Sequence, residues 1–316
     1  MSYTTIGSLI EQARREKRGM TREKLSDGIC SSQMLYQIEK DQCESDPLMT
    51  DILLQRAGKA PDKLERVLKS EMYRMVRMRA LLEKVILKKK RGLSEKILAN
   101  YPERTNVDQM YRYRMKASMY YHIDKDYDKA LKNLRLAVDK TLSNFTYAKI
   151  DQYLISTIEM ENLLAMEKVR IEQDSENVQV ESEQHLQSCM KYIEDHFTDC
   201  EEHAKILAKC VWLRARIAYH QEKYVQVMAL CERGIEELRR NTMIYFMLPL
   251  LEIMVQAEQQ MRILPLYNKW AKYHDTLNFL WKSFAEKWCP TDALFHNCFQ
   301  MEYHLDRQLR NKFKIF

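Results

Sequence analysis

Ser32, Gln33 and Gln37, with Tyr36 beside them, bring hydrogen-bonding side chains to one stretch, Met20 to Lys40, MTREKLSDGICSSQMLYQIEK. Gln can make a bidentate contact to adenine, and Ser can serve several bases. A helix presenting these groups suits the major groove of DNA. The same polar residues would serve equally as a solvated helix face, so the elements around them have to decide.

Other chemistries lack their residues. The eight His, at 122, 185, 196, 203, 220, 274, 296 and 304, have no metal-ligand spacing, and there is no H-E-x-x-H, phosphate loop or G-x-S-x-G. His296 lies near Cys289 and Cys298, but on what reads as a capping helix. The eight Cys form no C-x-x-C pair, which predicts reduced thiols rather than disulfides or a metal centre. No enzyme activity, cofactor or metal is expected.

The elements that must hold the polar stretch are short helices. Ile6, Leu9, Ile10 and Ala13 recur at helical spacing over about 5–17. Gly19 permits a turn, Thr21 can cap a second helix that Gly28 ends, and Ser31 can cap a third, Ser32 to Lys40, with Leu35 and Ile38 inward. Asp46-Pro47 starts a fourth helix, which Gly58 stops. Capped turn, inner apolar set and fourth-helix start together favour DNA binding over a merely solvated face.

LSDGICSSQMLYQIEK, preceded by GMTREKL and followed by a proline-started helix, resembles the Xre/lambda-repressor-type helix-turn-helix over about residues 5–70. The DGICS turn is similar to that of the Rgg/PlcR-type regulators, bacterial transcription factors that sense short peptides. The resemblance implies a phosphate contact at Arg22, where the family usually has Gln, and base-facing positions at Ser32, Gln33 and Gln37. It implies a structural ion pair between Arg14 and Glu39. It also implies peptide sensing and a homodimer. Met34 and Tyr36 are bulkier than usual in the family, which leaves the operator unread.

Downstream the chain turns to long helices. Only six Gly and six Pro occur among 316 residues, no Pro lies between Glu103 and Leu248, and only Gly234 follows residue 93. From Tyr111, the residues Ser118, Tyr121, Tyr127, Ala130, Leu134 and Ala137 have the small–aromatic–aromatic–small–large–small spacing of a tetratricopeptide repeat. From Ala208 the pattern returns with Ala215, Tyr224, Val227, Cys231 and Gly234, Ala218 replacing the second aromatic. Between them we expect a helix over about 148–173, a polar break at QDSENVQ, and another helix through about Phe197. SENVQVESEQ reads as a solvated loop. Further helices are expected at about 244–261, 263–284 and 291–312, the last with Phe295, Phe299, Tyr303 and Leu309 capping the stack.

These features predict an all-α chain: a helix-turn-helix domain at 1–70, then a tetratricopeptide-like solenoid at 71–316. In a stack of helix pairs the first helix of each pair lines the concave side. By register this places Arg112, Met115, Met119, His122 and Ile123, and then Lys209, Trp212, Arg216, Tyr219 and His220, inward. Aromatics, Met and Arg suit an extended peptide, with Arg taking a carboxylate. Trp212 and the Met residues would equally suit a core.

Charge alone says little about partners. Residues 1–60 hold nine Lys/Arg against nine Asp/Glu, and the excess lies in 61–91 with eleven against four. KKKR at 88–91 suits a helix C-terminus. With no secretory pattern and no apolar run long enough for a bilayer, a cytoplasmic protein without membrane contact is expected. The expected partners are double-stranded DNA with a two-part operator, a short signalling peptide and a second copy of the chain. The rivals are a protein-interaction adaptor with a vestigial head, and a repressor that needs no peptide.

Overall fold

The computed structural model describes residues 5–61, 69–173, 176–261 and 274–276. The chain is all-α, with no strand among the described residues. A helix-turn-helix head leads into tetratricopeptide-like helix pairs. The head comprises α1 (Ile6–Glu16), α2 (Arg22–Ser26), α3 (Ser32–Glu39) and α4 (Pro47–Arg56). Its starts follow the local chemistry. Thr21 accepts from the Lys24 N–H, Ser31 from Met34 and Asp46 from Leu48, each satisfying a donor that the first helical turn leaves open. Ile10, Ala13, Leu25, Leu35, Ile38, Met49, Ile52 and Leu53 close over one another as the head's core.

After the head come α5 (Ser70–Leu87) and α6 (Arg91–Ala99), joined through exposed Lys88, Lys89 and Lys90. Leu82, Val85 and Ile86 are buried, whereas Leu81 from the same apolar run is exposed. Then follow α7 (Asn106–Met119), continued by a π turn at Tyr120–Asp124, and α8 (Tyr127–Thr141). The next pair is α9 (Thr157–Glu172) and α10 (Glu176–His196), and after it α11 (Cys200–His220) and α12 (Tyr224–Arg240). α13 (Leu248–Met261) packs on α11 and α12. Within the array each helix packs on its successor, and α9, α11 and α13 also stack in turn, which is how helix pairs share one continuous core.

The small residues of the repeat pattern lie at the close approaches. Ser118, Ala130, Ala137 and Ala215 are fully buried. At Gly234 an added Cβ would lie 2.8 Å from the Leu250 Cδ1 atom and 3.2 Å from the Val211 Cγ1 atom, so a larger residue there would require these side chains to shift.

Three expectations need correcting or bounding. The helix expected from about 148 starts at Thr157, because Tyr147–Gln152 forms a 3-10 turn and a capping box from Ser156 to Glu159 sets the later start. SENVQVESEQ is not a loop: α10 begins at Glu176, and burial of Gln179 and Ser182 gives its polar sequence an inner face. The expected helices at 263–284 and 291–312, with Phe295, Phe299, Tyr303 and Leu309, lie outside the described residues but for 274–276.

Candidate nucleic-acid interface

Leu35 and Ile38 anchor α3 in the head's core, and the helix therefore turns Gln33 and Tyr36 to solvent with Ser32 and Gln37 half-buried beside them. The Ser32, Gln33 and Gln37 side chains make no hydrogen bond among the described residues. Their donors and acceptors are thus available on a helix whose own backbone is capped and whose opposite face is fixed by packing.

A network of charges ties α1, α2 and the end of α3 together. The Glu39 carboxylate is fully buried; it accepts from Arg14 Nε at 2.6 Å and Nη2 at 3.1 Å, and from Arg22 Nε at 2.6 Å. The Arg14–Glu39 pair implied by the resemblance is therefore present, and Arg22 joins it. Arg22 also lies over the Tyr36 ring, 5.0 Å from its centroid. Glu11 accepts both Lys40, at 2.9 and 3.0 Å, and Arg15, at 2.6 Å. The hydrogen bond from Lys40 holds the Glu11 carboxyl below its ordinary range.

The turn that aims α3 is clamped from behind by the repeat array. Gly28 has φ +69°, and an added Cβ would lie 2.2 Å from the Thr141 carbonyl oxygen at the end of α8. Both the left-handed conformation and the contact exclude a side chain. The Gly28 carbonyl accepts from Asn106 at the start of α7, 3.0 Å. Arg56, ending α4, is buried and donates to the Asp27 carbonyl at 2.6 Å, the Thr141 carbonyl at 3.1 Å and the Glu159 carboxylate at 2.6 and 3.1 Å. Beside it Gln55 accepts from the Thr157 N–H and donates to Glu202. Val107, Met110 and Ala137 of α7 and α8 complete the head's own apolar cluster.

Arg56, Glu159 and Asn106 were not singled out from the sequence. The signals were an Arg inside the buried LLQR stretch of α4 and the STIE capping box of α9, but their pairing, 103 residues apart, left no local trace.

The residues assigned by register to the concave side fall into two groups. Trp212 and Arg216 are together on α11: the Arg216 guanidinium lies 5.0 Å from the Trp212 ring and pairs with Glu172 at 2.8 Å. Lys168 of α9 sits 4.6 Å over Tyr121, whose hydroxyl donates to Glu172. Tyr219 is half-buried against Tyr224, 5.6 Å between ring centroids. The buried Trp212 indole N–H has no partner among the described residues. Burial pushes the Glu172 carboxyl up, but Arg216 and Lys168 more than offset it and hold it below its ordinary value.

The second group is engaged elsewhere. Arg112 donates to the Leu98 and Tyr101 carbonyls at 2.8 and 2.9 Å and pairs with Glu103, closing the end of α6. Met115 and Met119 are buried in a separate cluster with Leu82, Ile86 and Leu98. His122 is fully buried, edge-on to Tyr121 at 4.7 Å, and Ile123 packs against the Met115 cluster. Lys209 pairs with Glu161, and His220 is exposed.

No family model matches this chain, and no curated protein matches it by sequence. Among solved structures it is similar to Bacillus thuringiensis PlcR in complex with the peptide PapR7 and DNA. The TM-score is 0.54 and the identity 14%, over 90% of this chain and 98% of that one. At that identity the likeness establishes the fold. No helix among the described residues is long and apolar enough to cross a membrane.

Proposed function

We propose that this protein is a cytoplasmic transcription regulator that binds a two-part DNA operator as a homodimer and is controlled by a short peptide. In this reading residues 1–70 bind DNA and 71–316 sense the ligand. Ser32, Gln33 and Gln37 read base edges, Arg22 contacts the backbone, and Tyr36 stands beside them. The observation that carries the reading is the outward face of α3, where three side chains with unused hydrogen-bonding groups stand on a capped and packed helix. Fold-level likeness to a protein solved with a peptide and DNA supports it.

The peptide would lie against the concave side at Trp212, Arg216 and Tyr219, with Lys168 and Tyr121 alongside. There the half-buried Arg216 and Tyr219 offer a cation and an aromatic ring to a carboxylate and apolar side chains, with Trp212, Tyr121 and Lys168 buried behind them. Arg112, Met115, Met119 and His122 would shape that surface from behind, through the packing of α6 and α7. The Arg56–Glu159 contact supports a route from the array to the head, since it joins the turn before α3 to the start of α9.

The test begins with selection of a DNA site from a random pool by the full chain, followed by affinity against salt. Gln33→Ala with Gln37→Ala is expected to weaken specific binding by about tenfold or more, with little change in salt slope. Mass spectrometry of the gently purified protein should find a bound peptide. Absence of DNA binding at any salt would favour an adaptor that uses only the array. Full DNA binding unaffected by any peptide from the culture medium would favour a peptide-independent repressor.

A further inference from the structure

We propose that Tyr36 is a positioning residue: its ring holds the Arg22 guanidinium in place for a DNA phosphate, and Tyr36 does not itself read a base. The inference rests on the DNA-binding reading above. Glu39 is already satisfied by Arg14, which donates to both of its oxygens. Arg22 adds a second guanidinium to one carboxylate, so the three groups together carry a net positive charge. Glu11 pairs with Arg22 Nη2 only at 3.9 Å while also holding Lys40 and Arg15, and Glu23 faces Arg14 and Arg22 without a hydrogen bond to either, so among the described residues four cations still outnumber the three carboxylates around Arg22.

Arg22 therefore has its Nε fixed by Glu39 and its guanidinium carbon 5.0 Å from the Tyr36 ring centroid, while both Nη groups make no hydrogen bond among the described residues. Its side chain is 29% exposed, enough to meet an anion from solvent. A guanidinium prefers a bidentate oxyanion such as phosphate, and one already ordered loses less freedom on binding it. Tyr36 is 36% exposed and lies on the same helix as Gln33 and Gln37, so Arg22, over its ring, stands at the border of the reading face.

The experiment uses the full chain and its selected operator, with a double-mutant cycle read against salt and against single base-pair changes. Arg22→Ala should reduce the slope of log affinity on log salt by about one. Tyr36→Leu should weaken binding by about two- to fivefold, the size of an exposed cation–π contact, equally on every operator variant. Tyr36→Phe keeps the ring face and should bind like the wild type. In the Arg22→Ala background Tyr36→Leu should cost nothing more. Full additivity of the two changes, or a loss of preference at one base pair on Tyr36→Leu, would overturn the positioning role while leaving DNA binding intact. No binding by the wild-type chain would instead remove the DNA-binding reading itself.

Discussion

At the scale of single residues, what a side chain can do here is set by the charges fixed around it. Glu172, the partner of Arg216, is the clearest case. Burial works against its charged form, and Arg216 with Lys168 reverses the balance, so its folded-state value lies below the ordinary 4.5. A carboxyl held low contributes stability that is present above its unfolded value and lost as pH falls through the folded one. Arg216→Met removes the strongest compensating charge and leaves burial to raise the group. The difference in melting temperature between wild type and Arg216→Met is then expected to be largest near neutrality, to shrink as pH falls through the variant's raised value, and to vanish below the depressed wild-type one. A difference that stays constant across pH would show that Arg216 acts only by packing on Trp212.

At the scale of elements, the contact between the α2–α3 turn and the α8–α9 region decides how firmly α3 is aimed. Arg56 and Glu159 are both almost wholly buried, their side chains 2% and 1% exposed. Glu159→Met leaves Arg56 buried with carbonyl partners but no counter-charge and removes the acceptor of the α9 capping box, and it is expected to cost about 3–5 kcal/mol by denaturant unfolding. Arg56→Met with Glu159→Met should recover much of that loss. If the double variant is no better than the single, the carbonyl contacts of Arg56 outweigh the ion pair. The sequence made some of this element structure readable and hid the rest, for a physical reason. Helix starts at Thr21, Ser31 and Asp46 depend on a side chain and an N–H two or three residues away, and the local pattern reveals them. The start of α9 lies later than the apolar period suggests, because that period continues through the 3-10 turn at Tyr147–Gln152, whereas the Ser156–Glu159 capping box marks the true start. The polar start of α10 looked like a loop because its inner positions, Gln179 and Ser182, are buried as polar residues. On α3, the outward set was readable from alternation with Leu35 and Ile38. The engagement of Arg22 with Glu39 was not, since it joins two helices across a turn.

At the scale of the whole molecule, head and array share interior. Val107, Met110 and Ala137 lie in the same cluster as Ile10, Leu25 and Leu35, and the described part of the boundary between the proposed domains is thus crossed by apolar packing as well as by Arg56 and Gln55. A fragment ending at residue 70 would expose that surface and leave Arg56 without its carboxylate. Hydrogen exchange followed by mass spectrometry should show α3 and α4 protected in the full chain and exchanging faster in the fragment. Equal protection in both would mean that the head folds independently of its support.

The Gly28 turn carries a consequence for engineering. Its fit against Thr141 depends on a missing side chain on one partner and a helix end on the other, with Arg56 bonding to carbonyls of both. A chimera that grafts a foreign reading head onto this array would inherit only half of the joint. On the proposed DNA-binding reading, retargeting to a new operator is therefore better sought by exchanging residues on the outer face of α3 than by transplanting the whole head.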